Sequence, residues 1–202
     1  AKDRVASEQV VVGLDVGTTK ICTLIGEVKG PRLIEVVGVG ISPSRGLKKG
    51  LIVDMEEAAV AIATSIRKAE TYSGYRIIGG FVALSGGHID SEIAHGIIRL
   101  PGDKAVSQQE LKQVEDASGL EVFLEGGRHV LHVMPKGYIV DGESGVRNPI
   151  GMRATTLEAE SLVVTSAIAP LQNLAKCVER AGLQIDGFVA SGLAASHGVL
   201  TD

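Results

Sequence analysis

The sequence predicts an α/β protein, a sheet covered by helices, with a smaller α+β subdomain inserted into it. Three observations lead there. Three β-branched runs follow one another at residues 10–14, 21–27 and 33–41, and their links are short enough to make them antiparallel neighbours. Helix-period patterns begin after Asp54 and at Pro170, and each is followed by an apolar strand, residues 77–84 and 183–189. Between these stretches, from Ser85-Gly86-Gly87 to about Glu160, the texture changes to short strands, turns and one capped helix.

Each element has a local cause. The Gly17 turn separates the first two strands, and Gly30-Pro31 is a hairpin signal between the second and third. Asp54 with Glu57 three residues on reads as a capping box, and Met55, Ala59, Ile62, Ala63, Ile66 and Ala69 form the apolar stripe of a helix that Ser73-Gly74 ends. In the insertion, strands are expected near residues 89–100, 130–140 and 152–158, with a helix over 108–117 capped by Ser107 and Glu110. Residues 161–164 then read as a buried strand of the first texture. Pro170 suits a first helical turn and Gly182 a C-cap, and the last helix, from Ser191, is rich enough in small residues to let another backbone approach it.

Composition narrows the class. With 202 residues, 45% hydrophobic and 22% charged, the chain is globular rather than disordered. A net charge of -4 offers no field for nucleic acid, and Arg45, Lys48 and Lys49 form too short a basic cluster for a polyanion site and read as a solvated hairpin or loop. Only Cys22 and Cys177 carry thiols, both in apolar contexts, which fits a reducing cytoplasm and buried structural roles. Residues 1–8 are polar, without the apolar core of a signal peptide, and no run of 18 or more apolar residues occurs. Few aromatics, 3% with no Trp, leave Val, Ile, Leu and Ala to build the core.

The segment Gly13-Leu14-Asp15-Val16-Gly17-Thr18-Thr19-Lys20 carries the chemistry. Glycines allow backbone to approach a phosphate, Thr18 and Thr19 can donate to its oxygens, Lys20 can neutralise charge and Asp15 can hold a hydrated metal ion. Taken alone, the same residues make a tight hairpin in which Asp15 caps its own backbone. The spacing fits neither a Walker A loop nor a dinucleotide fingerprint, and Gly38-Val39-Gly40 lacks the later glycine. His129 and His132, three apart on an extended segment, are expected on opposite faces and so do not chelate one ion without a bend. His88, His95 and His197 are isolated, and Glu56, Glu57, Glu110 and Glu115 belong on helix surfaces or caps.

The element order and the Asp15 to Lys20 turn resemble the opening of the actin-like (ribonuclease H-like) ATPase fold and its first phosphate loop. More specific are Ala83-Leu84-Ser85-Gly86-Gly87-His88-Ile89, His129-Val130-Leu131-His132-Val133-Met134-Pro135, Arg147-Asn148-Pro149-Ile150-Gly151-Met152 and Val178-Glu179-Arg180-Ala181-Gly182-Leu183. Together these are similar to the FtsA family of bacterial cell-division proteins, over nearly all of the chain from Val10 to Asp202. The resemblance implies an incomplete nucleotide-binding subdomain 1A from residues 1–84 and 161–202, with residues 85–160 as an inserted 1C-like interaction subdomain. It implies ATP and Mg2+ as ligands, with Asp15 facing the metal and Gly17, Thr18, Thr19 and Lys20 holding the phosphates. It also implies actin-like protofilaments, FtsZ and later division proteins as partners, and work in the cytoplasm at the inner face of the cell membrane at the division site. The segment Asp186-Gly187-Phe188-Val189-Ala190-Ser191-Gly192-Leu193-Ala194-Ala195 resembles the superfamily's first connecting motif.

No second phosphate loop, FtsZ-binding subdomain or amphipathic membrane helix precedes Asp202, so a fragment that binds nucleotide poorly by itself is expected, with membrane contact only through a segment absent here. Residues 165–170, where a water-orienting group stands in many relatives, hold no carboxylate or amide, so hydrolysis is expected to be slow. Two other readings stay open: a sugar or carboxylate kinase of the same superfamily, and a pilus-assembly relative of FtsA.

Overall fold

The computed structural model describes residues 4–5, 10–31 and 33–199. The chain divides into two compact units, Ala1–His88 with Ala169–Asp202, and Ile89–Ile168.

In unit 1, β2 (Val10–Val16), β3 (Lys20–Gly30) and β4 (Leu33–Pro43) form the antiparallel meander that their short links require. Strands β8 (Gly79–Leu84) and β13 (Gln184–Ala190) join parallel to β2, giving the mixed order β13-β8-β2-β3-β4. Period-two alternation points Val12, Leu14, Val16, Ile21, Thr23, Ile25 and Val82 into the core. Two short pairs complete the unit: β1 (Arg4–Val5) runs parallel to β7 (Tyr75–Arg76), and β5 (Leu47–Lys48) forms a hairpin with β6 (Leu51–Ile52).

Helix α1 (Met55–Ser73) begins where expected, the Asp54 carboxylate accepting from the Glu56 and Glu57 amides, but the expected capping box does not close because the Asp54 amide donates to Gly46 O instead; the helix ends at Gly74 with φ +73°. It crosses β4 on Gly38 and Gly40, the pair with the look of a nucleotide fingerprint. A Cβ at residue 40 would stand 1.9 Å from the Ser65 carbonyl oxygen, so these glycines are there for helix contact. Ser65 Oγ donates to Gly40 O (2.8 Å), which leaves the Thr23 hydroxyl to donate to Ser65 Oγ (2.7 Å), and Ser42 Oγ donates to Ala61 O (2.7 Å). All three hydroxyls are buried. Helix α3 (Ile168–Arg180) buries Leu171, Leu174, Cys177 and Val178, and Cys177 Sγ lies 3.7 Å from Met55 O. Helix α4 (Ser191–Val199) follows β13 directly. A Cβ on its Gly192 would meet nothing within 4 Å among the described residues.

Unit 2 is an antiparallel sheet, β11 (Glu143–Val146), β10 (His129–Val140), β12 (Arg153–Ser166) and β9 (Ile89–Ala105) in that order, packed on α2 (Gln108–Gly126). Three expectations change here. The strands expected near 152–158 and over 161–164 are one strand, β12, because Leu157, Ala159, Ser161 and Val163 continue a single buried alternation along β9 and β10. Helix α2 does not stop near Ala117: Ser118-Gly119 lies within it, and Gly119 gives room to Val133, whose Cγ2 would be 2.9 Å from a Cβ there. The bend that the histidines lacked is also present. The β10 register shifts between Val130 and His132, so His129 opposes Ser166 and His132 opposes Val164, residues of one face. Even so, no group of three or more metal-ligating side chains occurs among the described residues. Burial pushes the His132 imidazole down, toward its neutral form.

The α2 capping box forms as expected: the Ser107 hydroxyl accepts from the Glu110 amide, and the Glu110 carboxylate accepts from the Ser107 amide and hydroxyl. Lys104 Nζ donates to Glu110 Oε1 at 2.7 Å, and with the Ser107 bonds it holds the Glu110 carboxyl at about 2. The folded value lies below that of the unfolded chain, so this contribution is complete above about pH 4.3 and fades as pH falls toward 2. Urea midpoints should therefore drop more steeply from pH 5 to pH 3 in the parent protein than in Glu110→Gln.

Candidate functional site

The Asp15 turn is built by pairing. Asp15 opposes Cys22 across β2 and β3, Val16 opposes Ile21, and the Gly17 amide donates to Lys20 O at 3.1 Å, closing the hairpin. Only glycine fits at 17, since a Cβ would stand 2.9 Å from Lys20 O. Buried Leu14 and Val16 anchor the strand while Asp15, Thr18, Thr19 and Lys20 are exposed at its end. One turn thus presents a carboxylate, two hydroxyls and an ammonium to solvent.

Three other segments meet this turn. Ser191 Oγ, at the start of α4, donates to Asp15 Oδ1 at 3.4 Å. The Gly50 amide at the tip of the β5–β6 hairpin donates to Thr18 Oγ1 at 3.1 Å, which leaves the Thr18 hydroxyl hydrogen free to point elsewhere. Gly50 also lies against the end of β8: a Cβ there would be 2.4 Å from Ser85 O and 3.1 Å from Gly86 Cα. Finally, the Ser44 amide donates to Thr19 O at 3.1 Å, while the Ser44 hydroxyl is buried with no hydrogen-bond partner among the described residues.

The electrostatics suit anions and metal rather than covalent chemistry. Burial, followed by the Asp15 charge, pushes the Cys22 thiol up despite Lys20, so it stays protonated and is a poor nucleophile. Cys177 is likewise raised by burial. An exposed carboxylate beside two hydroxyls, an amine and a crowded glycine is a donor set that fits a magnesium-bound oligophosphate. By contrast, the cavity of about 510 Å³ against the start of α1 is lined by Asp54, Glu56 and Glu57 with Arg45, a wall that repels phosphate.

Sequence reasoning picked out the five residues of the turn and missed Ser44, Gly50, Ser85 and Ser191 as its neighbours. Ser191 lay inside a motif singled out for its small residues, and Gly50 inside the basic cluster read as a solvated hairpin. Pairing and packing, not spacing, bring them to Asp15. Among the described residues no helix is long and apolar enough to cross a membrane.

A family model described as the SHS2 domain inserted in FtsA matches residues 86–165. The chain is 41% identical over 198 residues to the cell division protein FtsA of Pseudomonas aeruginosa, 36% identical over 196 residues to that of Borreliella burgdorferi and 33% identical over 199 residues to that of Escherichia coli. Those alignments take in 98%, 96% and 98% of the chain but 47% of each relative, so the chain spans about half their length. Among solved structures, the PilM–PilN type IV pilus biogenesis complex superposes with a TM-score of 0.61 at 13% identity, covering 93% of this chain and 49% of that one. The fold is the α/β fold of actin-like ATPases, with the SHS2 domain present.

Proposed function

Because the chain belongs to the FtsA family of bacterial cell-division proteins, we propose that the Asp15 turn binds ATP with Mg2+ in a protein that polymerises, links FtsZ filaments to the cytoplasmic membrane and recruits later division proteins. A role in cell division follows from the family itself. The observation that carries the nucleotide site is the exposed Asp15 set beside Thr18, Thr19 and Lys20 on a hairpin that Gly17 alone can close.

In this reading Asp15, steadied by the Ser191 hydroxyl, would hold a hydrated magnesium ion, which would supply charge screening for the phosphates. The hydroxyls of Thr18 and Thr19 direct donors at phosphate oxygens, Gly17 keeps the turn that carries them closed, and Lys20 neutralises charge at the mouth. In the same reading the protein works in the cytoplasm at the inner face of the membrane at the division site. Ile89–Ile168, the unit that the family model largely covers, is the surface for filament neighbours and later division proteins.

The test is nucleotide binding by the full-length protein. Asp15→Ala should weaken MgATP binding by about thirtyfold, near 2 kcal/mol, and weaken ATP binding in EDTA far less. Equal loss with and without magnesium would take the metal away from Asp15. Unchanged MgATP affinity would remove the site. FtsZ co-sedimentation with the same variant reports whether nucleotide binding and partner binding are linked.

A further inference from the structure

The basic cluster Arg45, Lys48 and Lys49, which reads as a solvated hairpin or loop, is exposed on and beside the β5–β6 hairpin, and the tip of that hairpin is fastened to the Asp15 turn. The Gly50 amide bonds Thr18 Oγ1, and Gly50 packs so closely on Ser85 and Gly86 that no side chain fits there. At the hairpin's base, Gly46 O accepts from the amides of Val53 (2.8 Å) and Asp54 (3.1 Å), which ties the hairpin to the start of α1.

The residue beside Gly50 is unusual. Lys49 has φ +52°, one of two residues other than glycine with positive φ among the described residues, the other being Asp141 at +47°. Turns of this kind favour Asn, Asp or Gly, and a lysine in the left-handed region is strained. Strain held in a sparsely populated conformation points to a role when the surroundings enforce it, and here Thr18, Ser85 and Gly86 fix the neighbouring Gly50. Its side chain is exposed and, among the described residues, in no ion pair.

Resting on the reading of the Asp15 turn as a phosphate loop, we infer that Lys49 is the second cation of that site and binds the terminal phosphate of a nucleoside triphosphate. Consecutive Cα atoms are about 3.8 Å apart, and a lysine ammonium extends about 6 Å from its Cα, so a group bound at Thr18 lies within reach of Lys49. The charge balance asks for such a group. Lys20 is the single ammonium of the turn, whereas a triphosphate carries about four negative charges, of which one magnesium ion offsets two. Lys48 is not equivalent: it pairs with Leu51 on the exposed face of the hairpin, opposite half-buried Leu47 and Ile52.

Lys49→Asn separates this role from that of a turn residue, because Asn accepts the left-handed backbone and removes the charge. In the full-length protein, the Asn variant should melt at or above the parent temperature and bind MgATP about tenfold more weakly, with AMP binding unchanged. Lys49→Arg should stay within about threefold of the parent, and Lys48→Ala within about twofold. If Lys49→Asn binds MgATP like the parent while Thr18→Val and Asp15→Ala lose affinity, the phosphate loop stands and the Lys49 role falls. If none of these variants changes MgATP affinity, both readings fall together.

Discussion

Gly40→Ala should lower the melting temperature by about 6–12 °C, the equivalent of about 3 kcal/mol in a chain of this size. The new methyl would stand 1.9 Å from Ser65 O, 2.6 Å from Ala69 N and 3.0 Å from Ser65 C, all backbone atoms of α1, so no rotamer relieves the clash. Lifting the helix away is costly too. It would break the Ser65 to Gly40, Thr23 to Ser65 and Ser42 to Ala61 bonds, each inside the core, where an orphaned donor or acceptor costs about 1–3 kcal/mol. Gly30→Ala is the control, since a Cβ there meets nothing within 4 Å. Differential scanning fluorimetry measures the shift, and hydrogen exchange should locate the loosening in β3, β4 and α1. A Gly40→Ala protein that melts with the parent would show that α1 does not lie on β4 as described.

Gly96→Ala should cost unit 2 a similar amount, about 3 kcal/mol, for the same reason on a different helix. Its Cβ would come within 2.0 Å of Val114 O, 2.7 Å of Ser118 N and 2.8 Å of Ser118 Oγ, so α2 meets β9 here as closely as α1 meets β4. Truncating Ser118 to alanine removes one of those three contacts and leaves the worst, so it should not rescue the variant. Hydrogen exchange should rise in β9, β12 and α2 and stay low in β2 and β3. Exchange that instead rises evenly through both units would mean that they unfold as one cooperative block.

How far the sequence could be read follows from the range of the interactions involved. Helix starts depend on three or four consecutive residues, and Asp54 and Ser107 cap where their spacing said they would. The strands β2, β3 and β4 were legible because short links and β-branched runs leave little choice of neighbour. The errors arose where one element answers to another. Ser118-Gly119 has the composition of a helix stop, but in place it is a notch for Val133 and the helix runs on to Gly126. His129 and His132 share a face through a register shift that no local residue announces.

The candidate site divides in the same way. Asp15, Gly17, Thr18, Thr19 and Lys20 could be named from sequence because one tight hairpin holds them, and a hairpin is determined by the residues within it. Ser191 stands 176 positions from Asp15 and Gly50 stands 32 from Thr18, and nothing in those separations says that they meet. Their approach is set by β8 and β13 lying parallel to β2, which brings Ser85 and Ser191 to the strand end where Asp15 sits, and by Gly50, whose missing side chain lets the hairpin close on Ser85. The residue types of this protein's chemistry are therefore written in a short local run. Which distant groups complete it was decided by sheet topology and by the space left at one glycine.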